Sequence, residues 1–464
     1  MSAPPAPLAQ AALARADELR RRLPGTFRDQ AVEHLYLEAS HIAARSVKSP
    51  VGARWDLDQR IDRLVTSPVF GLPLMLLLIG ATFWITIIGA NIPSQMIATL
   101  LFAIEERAAA LFDSVGAPWW VTGFLWHGVY RGLAWVVSVM LPPMAIFFPM
   151  FTILEDLGYL PRVAFNMDWL FRKAGAHGKQ SLTMAMGFGC NAAGVVAARI
   201  IDSPRERLIA ILTNNFVPCN GRWPTLIMLA SIFVAARFPA AFASFAAAAA
   251  VTLVVLIGLG VTLAASWVLS RTVLKGEASA FTLELPPYRR PSILRILHTS
   301  LLDRTVFVLL RAVTTAAPAG AVIWLLGNIH VGGVSLARHV AGFLNPLGYA
   351  IGLDGVILLA YIIAIPANEI VVPTMLMAYL GAGMMTEVAS YDDIRRILVN
   401  QNGWTLLTAV SLMLFSLLHN PCATTILTMW KETRSAKWTA IGALMPLAVA
   451  FTVTFVVATA VRLF

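Results

Sequence analysis

The chain has little charge, few cysteines and no phosphate-binding loop. Acidic and basic residues together make up 13% of its 464 residues, against about 25% in a soluble domain. That excludes an ordinary water-soluble fold. Three cysteines exclude a disulfide framework. The run Gly175-Ala176-His177-Gly178-Lys179-Gln180-Ser181 has the look of a nucleotide loop without its Gly-x4-Gly-Lys-[Ser/Thr] spacing, and no strand precedes it. No nucleotide is therefore expected on this chain. Neither a nucleophile–base pair nor a zinc-type histidine spacing occurs, so an enzyme is not expected. The first 66 residues hold no apolar run long enough for a cleavable signal peptide.

What is present is apolar. Hydrophobic residues make up 58% of the chain, and runs of about 20 recur, the length needed to cross a hydrocarbon core. The net charge of +10 sits in short connections between these runs, as orientation by cytoplasmic Lys and Arg requires. This reads as a multi-pass protein of the cytoplasmic membrane with its N-terminus inside. Lipid is its surrounding partner, and nucleic acid is not a partner.

The fold class expected is all-α: about seven transmembrane helices plus two re-entrant hairpins, in two inverted repeats with discontinuous helices. The organisation reads as follows. Residues 1–66 form a cytoplasmic helical segment, disordered at 2–7, with Ala-rich helices over 9–22 and 30–46. Residues 67–130 give a first span and then interfacial helices over 93–130, where Glu105, Glu106, Asp113 and three tryptophans suit a membrane surface. The first repeat covers 131–270 and begins with a span kinked at Pro142, Pro143 and Pro149. A basic connector follows at 271–304, and the second repeat covers 305–464. Each repeat reads span, broken hairpin, broken span, span. The hairpins are 181–201 and 352–381.

The breaks carry the chemistry. They are Gly187-Phe188-Gly189-Cys190-Asn191, Pro218-Cys219-Asn220-Gly221, Pro366-Ala367-Asn368-Glu369 and His419-Asn420-Pro421-Cys422. Opened backbone inside a bilayer must face protein, ligand or a water-filled cavity, and corresponding breaks in two inverted halves point to a transport site. Thiols select soft or borderline metal ions. Glu369 is the one carboxylate within the breaks, and a carboxylate at a helix centre costs about 2.5–3.5 kcal/mol. A divalent ion can be held by sulfur from Cys190, Cys219 and Cys422, by the Glu369 carboxylate, and by amide oxygen from Asn191, Asn220, Asn368 and Asn420.

Each residue also has a plainer reading. A membrane cysteine can be a small hydrophobe, and the asparagines can simply bond between helices. Glu369 can pair with Arg222 or Arg311, His419 can cap a helix, and Met144, Met184 and Met186 can be packing. Glu155-Asp156, after the second span, form either an ordinary interfacial pair or an acidic vestibule that concentrates cations.

At these motifs the chain resembles the membrane domain of FeoB-type ferrous iron transporters. The likeness runs from about 60 to 464. It is carried by Asp62-Arg63-Leu64, Leu154-Glu155-Asp156-Leu157-Gly158-Tyr159, Arg162-Val163-Ala164-Phe165, His177-Gly178-Lys179, the Cys190 break, Cys219-x-x-Arg222-x-Pro224, Asn345-Pro346-Leu347-Gly348, Glu369-Ile370-Val371-Val372 and Pro421-Cys422-x-x-Thr425. The resemblance implies two inverted gate repeats and Fe(II) import, with Cys190, Cys219, Cys422 and Glu369 on the metal path. The family's usual N-terminal GTP-binding domain is not seen in this sequence, which implies a separately encoded small GTPase as partner. A second copy of the chain is another expected partner. Ala192-Ala193, Asn220-Gly221 and Asn368 depart from the family's usual residues. The extra amide oxygens shift preference toward harder ions such as Mn(II). A transporter of nucleoside-like solutes and a non-transporting membrane assembly partner are the alternatives.

Overall fold

The computed structural model describes residues 27–46, 60–275 apart from 68, 288–289, 291–386 apart from 299 and 301–304, and 391–463, together with 15 and 18. The disorder expected at 2–7, most of the helix expected over 9–22, and part of the basic connector lie outside the described residues. The helix expected over 30–46 is present as α1 (Phe27–Ser46).

Apolar sequence without Gly-Pro clusters gives long helices. These are α2 (Gly71–Ser114), α3 (Trp119–Asp156), α9 (Ala240–Arg271) and α18 (Ala436–Leu463). Apolar sequence interrupted by polar clusters gives short ones. Those of the first half are α4 (Tyr159–Lys173), α5 (Gln180–Gly189), α6 (Asn191–Ala197), α7 (Pro204–Thr213) and α8 (Trp223–Arg237). After α10 (Ile293–His298) come α11 (Phe307–Asn328) and a two-stranded ribbon, His330–Val331 with Val334–Ser335. The remaining helices are α12 (Leu336–Ala350), α13 (Gly355–Ile363), α14 (Val371–Leu380), α15 (Tyr391–Arg395), α16 (Leu406–Leu418) and α17 (Ala423–Thr433).

Among the described residues, five stretches are long and apolar enough to cross a bilayer: Pro73–Ser114, Trp119–Asp156, Phe242–Arg271, Leu406–Thr433 and Ala436–Leu463. The pair α12–α13, bent by 109°, would make a sixth. The chain is an all-α polytopic membrane protein. The broken span expected in the first repeat and the leading span expected in the second fall on two shorter apolar helices, Trp223–Arg237 and Val313–Asn328.

One expectation is corrected. No separate interfacial helices form over 93–130. Helix α2 runs unbroken through Pro93 for 44 residues, about 66 Å at 1.5 Å per residue, and α3 begins at Trp119 with a π-helical stretch over Gly123–Tyr130. Of the acidic residues that suggested a surface, Glu106 and Asp113 are exposed but Glu105 is buried. Glu105 is 1% exposed, and its carboxylate lies 2.7 Å from His127 Nδ1 and 3.0 Å from Arg131 Nη1 of α3. Helix α3 likewise continues through Pro142, Pro143 and Pro149.

The two halves share one order of elements. Helices α3, α4, the hairpin α5–α6, the broken crossing α7–α8 and α9 are followed by α11, α12, the hairpin α13–α14, the broken crossing α16–α17 and α18. Both α4 and α12 are strongly amphipathic. The helices that lead each half cross at glycine: a Cβ on Gly132 would lie 2.9 Å from the Gly320 Cα. Small residues let membrane helices approach this closely.

Both hairpins return to the side they started from. The ends of the first are joined where Lys179 Nζ donates to Ile200 O (2.9 Å) and to Asp202 (2.8 Å). That ion pair holds the exposed Asp202 carboxyl below its ordinary value. His177 Nδ1 accepts from the Lys179 amide (2.9 Å), and Asp168 accepts from the Gly178 amide (3.0 Å). The His-Gly-Lys run is thus the built base of the hairpin. The ends of the second are joined where Tyr379 donates to Asp354, with Trp404 Nε1 donating to Tyr379 at 3.0 Å.

The segment before α2 is docked by a buried cation. Arg162, 1% exposed, grips Asp62 at 2.9 and 3.2 Å and lies over the Tyr288 ring, 4.1 Å from its centroid. Tyr288 also donates to Asp62 at 2.8 Å. Burial pushes the Asp62 carboxyl up, but the bonds from Arg162 and Tyr288 outweigh it and hold the group below its ordinary value.

Candidate functional site

Each break opens because its residues cannot continue the ladder. Cys190 ends α5 in an extended conformation, φ −153°, ψ 120°. Ala367, at the corresponding point of the second hairpin, has φ −153°, ψ 120° as well. Asn191 and Asn368 follow at matching positions. The two breaks of each half are also stitched alike: the Asn220 amide donates to Gly189 O (3.1 Å), and the Ala423 amide donates to Ile365 O (2.7 Å).

The four breaks meet at one cavity, with about 30 Å³ of water-sized space. It is lined by Gly189, Cys190 and Asn191 from the first hairpin, Cys219, Asn220 and Gly221 from the first broken crossing, Pro366 to Glu369 from the second hairpin, and Cys422, Thr424 and Thr425 from the second broken crossing. Met140 and Met144 of α3 complete the wall. Every expected site residue of the breaks is among them except Asn420, whose carbonyl instead accepts from Arg222 at 3.3 Å.

The donors differ in how free they are. Cys190 is buried, while Cys219 and Cys422 are partly exposed. Cys422 Sγ lies 3.2 Å from Thr425 Oγ1, and Asn368 Nδ2 approaches Cys219 Sγ at 3.9 Å. The asparagines of the hairpins are engaged across helices. Asn191 lies 3.2 Å from Asn215 Oδ1, and Asn368 Oδ1 lies 3.3 Å from His419 Nε2. Glu369 is half-buried and packs against the glycine of the first crossing: a Cβ on Gly221 would lie 2.5 Å from Glu369 Oε1. No ion pair to Glu369 forms among the described residues. Arg222 is turned to main-chain carbonyls, and the side chain of Arg311 lies outside the described residues. Among the described residues, no three His, Cys, Asp or Glu side chains are grouped closely enough to hold an ion together.

Glu155 and Asp156 stand apart from this cavity. They end α3, eleven residues beyond Met144 and so about 16 Å farther along the helix. Glu155 is exposed and Asp156 half-buried.

Comparison with known proteins marks out the same halves. The Gate family, described as nucleoside recognition, matches residues 137–233 and 309–436. The segment 251–302 between them matches the C terminus of ferrous iron transport protein B. Together these matches span more than half of the chain. The Fe(2+) transporter FeoB of Staphylococcus aureus is 30% identical over 409 residues, 86% of this chain and 58% of that protein. Its counterpart from Synechocystis is 28% identical over 401 residues, 85% and 62% of the two chains. The Legionella pneumophila protein is 29% identical over 344 residues, 71% and 44%.

The chain is similar to FeoB proteins over most of its own length. It spans about three-fifths of the length of the S. aureus and Synechocystis relatives. The two Gate segments begin within α3 and α11 and end within α8 and just past α17. The FeoB-like signature Leu154 to Phe165 builds the turn into α4 and supplies Arg162, which docks the preceding segment. Sequence reasoning missed Thr424 and the wall residue Met140, which lack any local motif. It also missed the part played by Arg222, whose partners lie up to 198 residues away.

Proposed function

We propose that this chain carries a divalent metal ion, Fe(II) foremost and Mn(II) as the harder alternative, across the cytoplasmic membrane through the cavity where the four breaks meet. The observation that carries this reading is that Cys190, Cys219, Cys422 and Glu369, drawn from four separate breaks, line one small cavity. The relatives' name as Fe(2+) transporters supports it. Cavity size favours an ion, because drug-sized solutes need pockets of about 300–1,000 Å³. The Gate family's description names nucleoside recognition, and that solute class is the second reading.

The donors serve in succession rather than as one closed cluster. Thiols replace part of the water shell, the Glu369 carboxylate offsets charge, and the amide oxygen of Asn220 completes the coordination. A permeant ion must bind well enough to enter and weakly enough to leave. The repeats are oppositely oriented, with the N-terminal segment and the basic connector in the cytoplasm. Glu155 and Asp156 form the vestibule. Two carboxylates at the negative end of a helix dipole disfavour the helix, which supports a role in gathering cations. No catalytic step and no nucleotide is assigned to the chain, and a small GTPase and a second copy are its proposed partners.

The test is metal flux in proteoliposomes, comparing Fe(II), Mn(II), Zn(II) and Co(II). Cys190→Ser and Cys219→Ser should each collapse the Fe(II) signal. Full flux in both variants would remove the thiols from the path, and nucleoside flux with no metal flux would favour the second reading.

A further inference from the structure

A cation path ordinarily has no place for a buried arginine, yet Arg222 is 1% exposed and lies three residues after Cys219. Its guanidinium is fully engaged on one side by main-chain oxygen. Nη1 donates to Asn215 O (2.8 Å) and Leu417 O (2.7 Å). Nη2 donates to His419 O (3.2 Å), Asn420 O (3.3 Å) and the Asn215 side-chain oxygen (3.2 Å). These oxygens belong to the C-terminal ends of α7 and α16, the first arms of the two broken crossings. Helix C-termini carry partial negative charge. In transporters with discontinuous helices, unwound carbonyls at such ends are where coupling cations bind.

We propose that Arg222 is a built-in coupling cation. Its guanidinium fills the carbonyl cage between the two broken crossings, and so the chain needs no sodium-like ion to hold them in register while metal occupies the neighbouring cavity. The placement supports this in two further ways. Asn215 Nδ2 also donates to His419 O at 2.6 Å, so the cage joins both halves even without the arginine. Arg222 is also in register with the path itself, since it follows Gly221, against which Glu369 packs. A fixed positive charge there keeps a second cation out of the cage and leaves the thiols and Glu369 as the available donors.

The flux part of this inference rests on the proposed transport; the cage itself does not, and the experiment separates them. Purified full-length Arg222→Ala is melted in sodium chloride, in guanidinium chloride at non-denaturing concentration, and in choline chloride as the ionic-strength control. Arg222→Ala should melt below the parent, and sodium or guanidinium, but not choline, should raise its Tm saturably, with no such response from the parent. In proteoliposomes its metal flux should become dependent on sodium or guanidinium by about tenfold, within the range usual for coupling between sites. Arg222→Lys, which keeps the charge, should stay indifferent to sodium in both assays. If Arg222→Ala does not yield monodisperse protein, Arg222→Gln carries the same test. A neutral variant whose Tm ignores sodium and guanidinium alike would overturn the cage. A cation-responsive Tm with no metal flux even in the parent would uphold the cage and reject the transport reading.

Discussion

The two hairpins have the same backbone and different chemistry. At Cys190 and at Ala367 the chain opens with the same φ and ψ, and an asparagine follows in each. In the first hairpin the opened residue brings a thiol and the residue after the asparagine is Ala192. In the second the opened residue is an alanine and the corresponding residue is Glu369. The second breaks differ in the same manner: the first crossing supplies Cys219 together with a buried arginine, and the second supplies Cys422 together with His419 and Thr425. The backbone repeat therefore provides the opening and the meeting point, while the side chains differ between the halves: toward the cavity the first supplies two thiols, Cys190 and Cys219, and the second supplies one thiol and the carboxylate, Cys422 and Glu369. Sulfur thus comes from both halves and the negative charge from the second, a mixture suited to an ion of borderline softness.

Glu369→Gln should have the largest effect. It removes the one carboxylate of the cavity while keeping its shape. Leaving a buried charge without its partner costs about 3–5 kcal/mol, so Fe(II) flux should fall by about 100-fold or more. Flux within twofold of the parent would show that the second hairpin contributes no charge.

Gly221→Ala comes next. Its new methyl would lie 2.5 Å from Glu369 Oε1, so the carboxylate must shift, and flux should drop about tenfold, as small misplacements of a working group do. In a Glu369→Ala background the same change should add little, which a double-mutant cycle measures. Equal effects in both backgrounds would separate Gly221 from the carboxylate.

Moving the thiol from one hairpin to the other should have a smaller effect. Cys190→Ala should lower flux, and adding Ala367→Cys should recover about threefold of the loss, because the two positions share one backbone geometry and face one cavity while soft-ligand chemistry depends on the sulfur. No recovery would mean that the halves are not exchangeable at this point.

The smallest effect lies outside both repeats. Asp62→Asn weakens the grip on Arg162 and should cost about 1–2 kcal/mol, discounted because Asp62 remains partly in water. Thermal melting measures it, and flux should be unchanged. The pH dependence has a definite sign. The folded Asp62 pKa is depressed, so its contribution is present above the ordinary carboxylate value, about 4, and is lost as pH falls below that toward the folded value. A parent protein and an Asp62→Asn variant with parallel acid-melting curves would contradict the assignment.

Much of this arrangement was legible in the chain. Gly, Pro and Asn clusters inside apolar runs announced the four breaks, and the hairpin expected over 181–201 has its ends joined by Lys179 and Asp202. The meeting of Cys190, Cys219, Cys422 and Glu369 at one cavity followed from the pairing of breaks. Other features depend on distant partners and leave no local trace. Glu105 and Glu106 gave 93–130 an interfacial look, but Glu105 is neutralised by His127 and Arg131 from the next helix, and Pro93 is carried within a long apolar helix. Helix α12, the counterpart of α4, was unread because its polar face broke the apolar run before the second hairpin. Arg222 suggested a partner for Glu369, whereas its actual partners are carbonyls that only appear once two helices stop.

In the proposed path, sulfur from these breaks touches the metal on its way through. Iron K-edge absorption of the protein loaded with Fe(II) under anaerobic conditions tests it. A shell of sulfur scatterers is predicted in the parent, reduced in Cys190→Ser and in Cys219→Ser and absent when Cys422 is changed as well. An iron spectrum with oxygen and nitrogen neighbours alone in the parent would contradict the account.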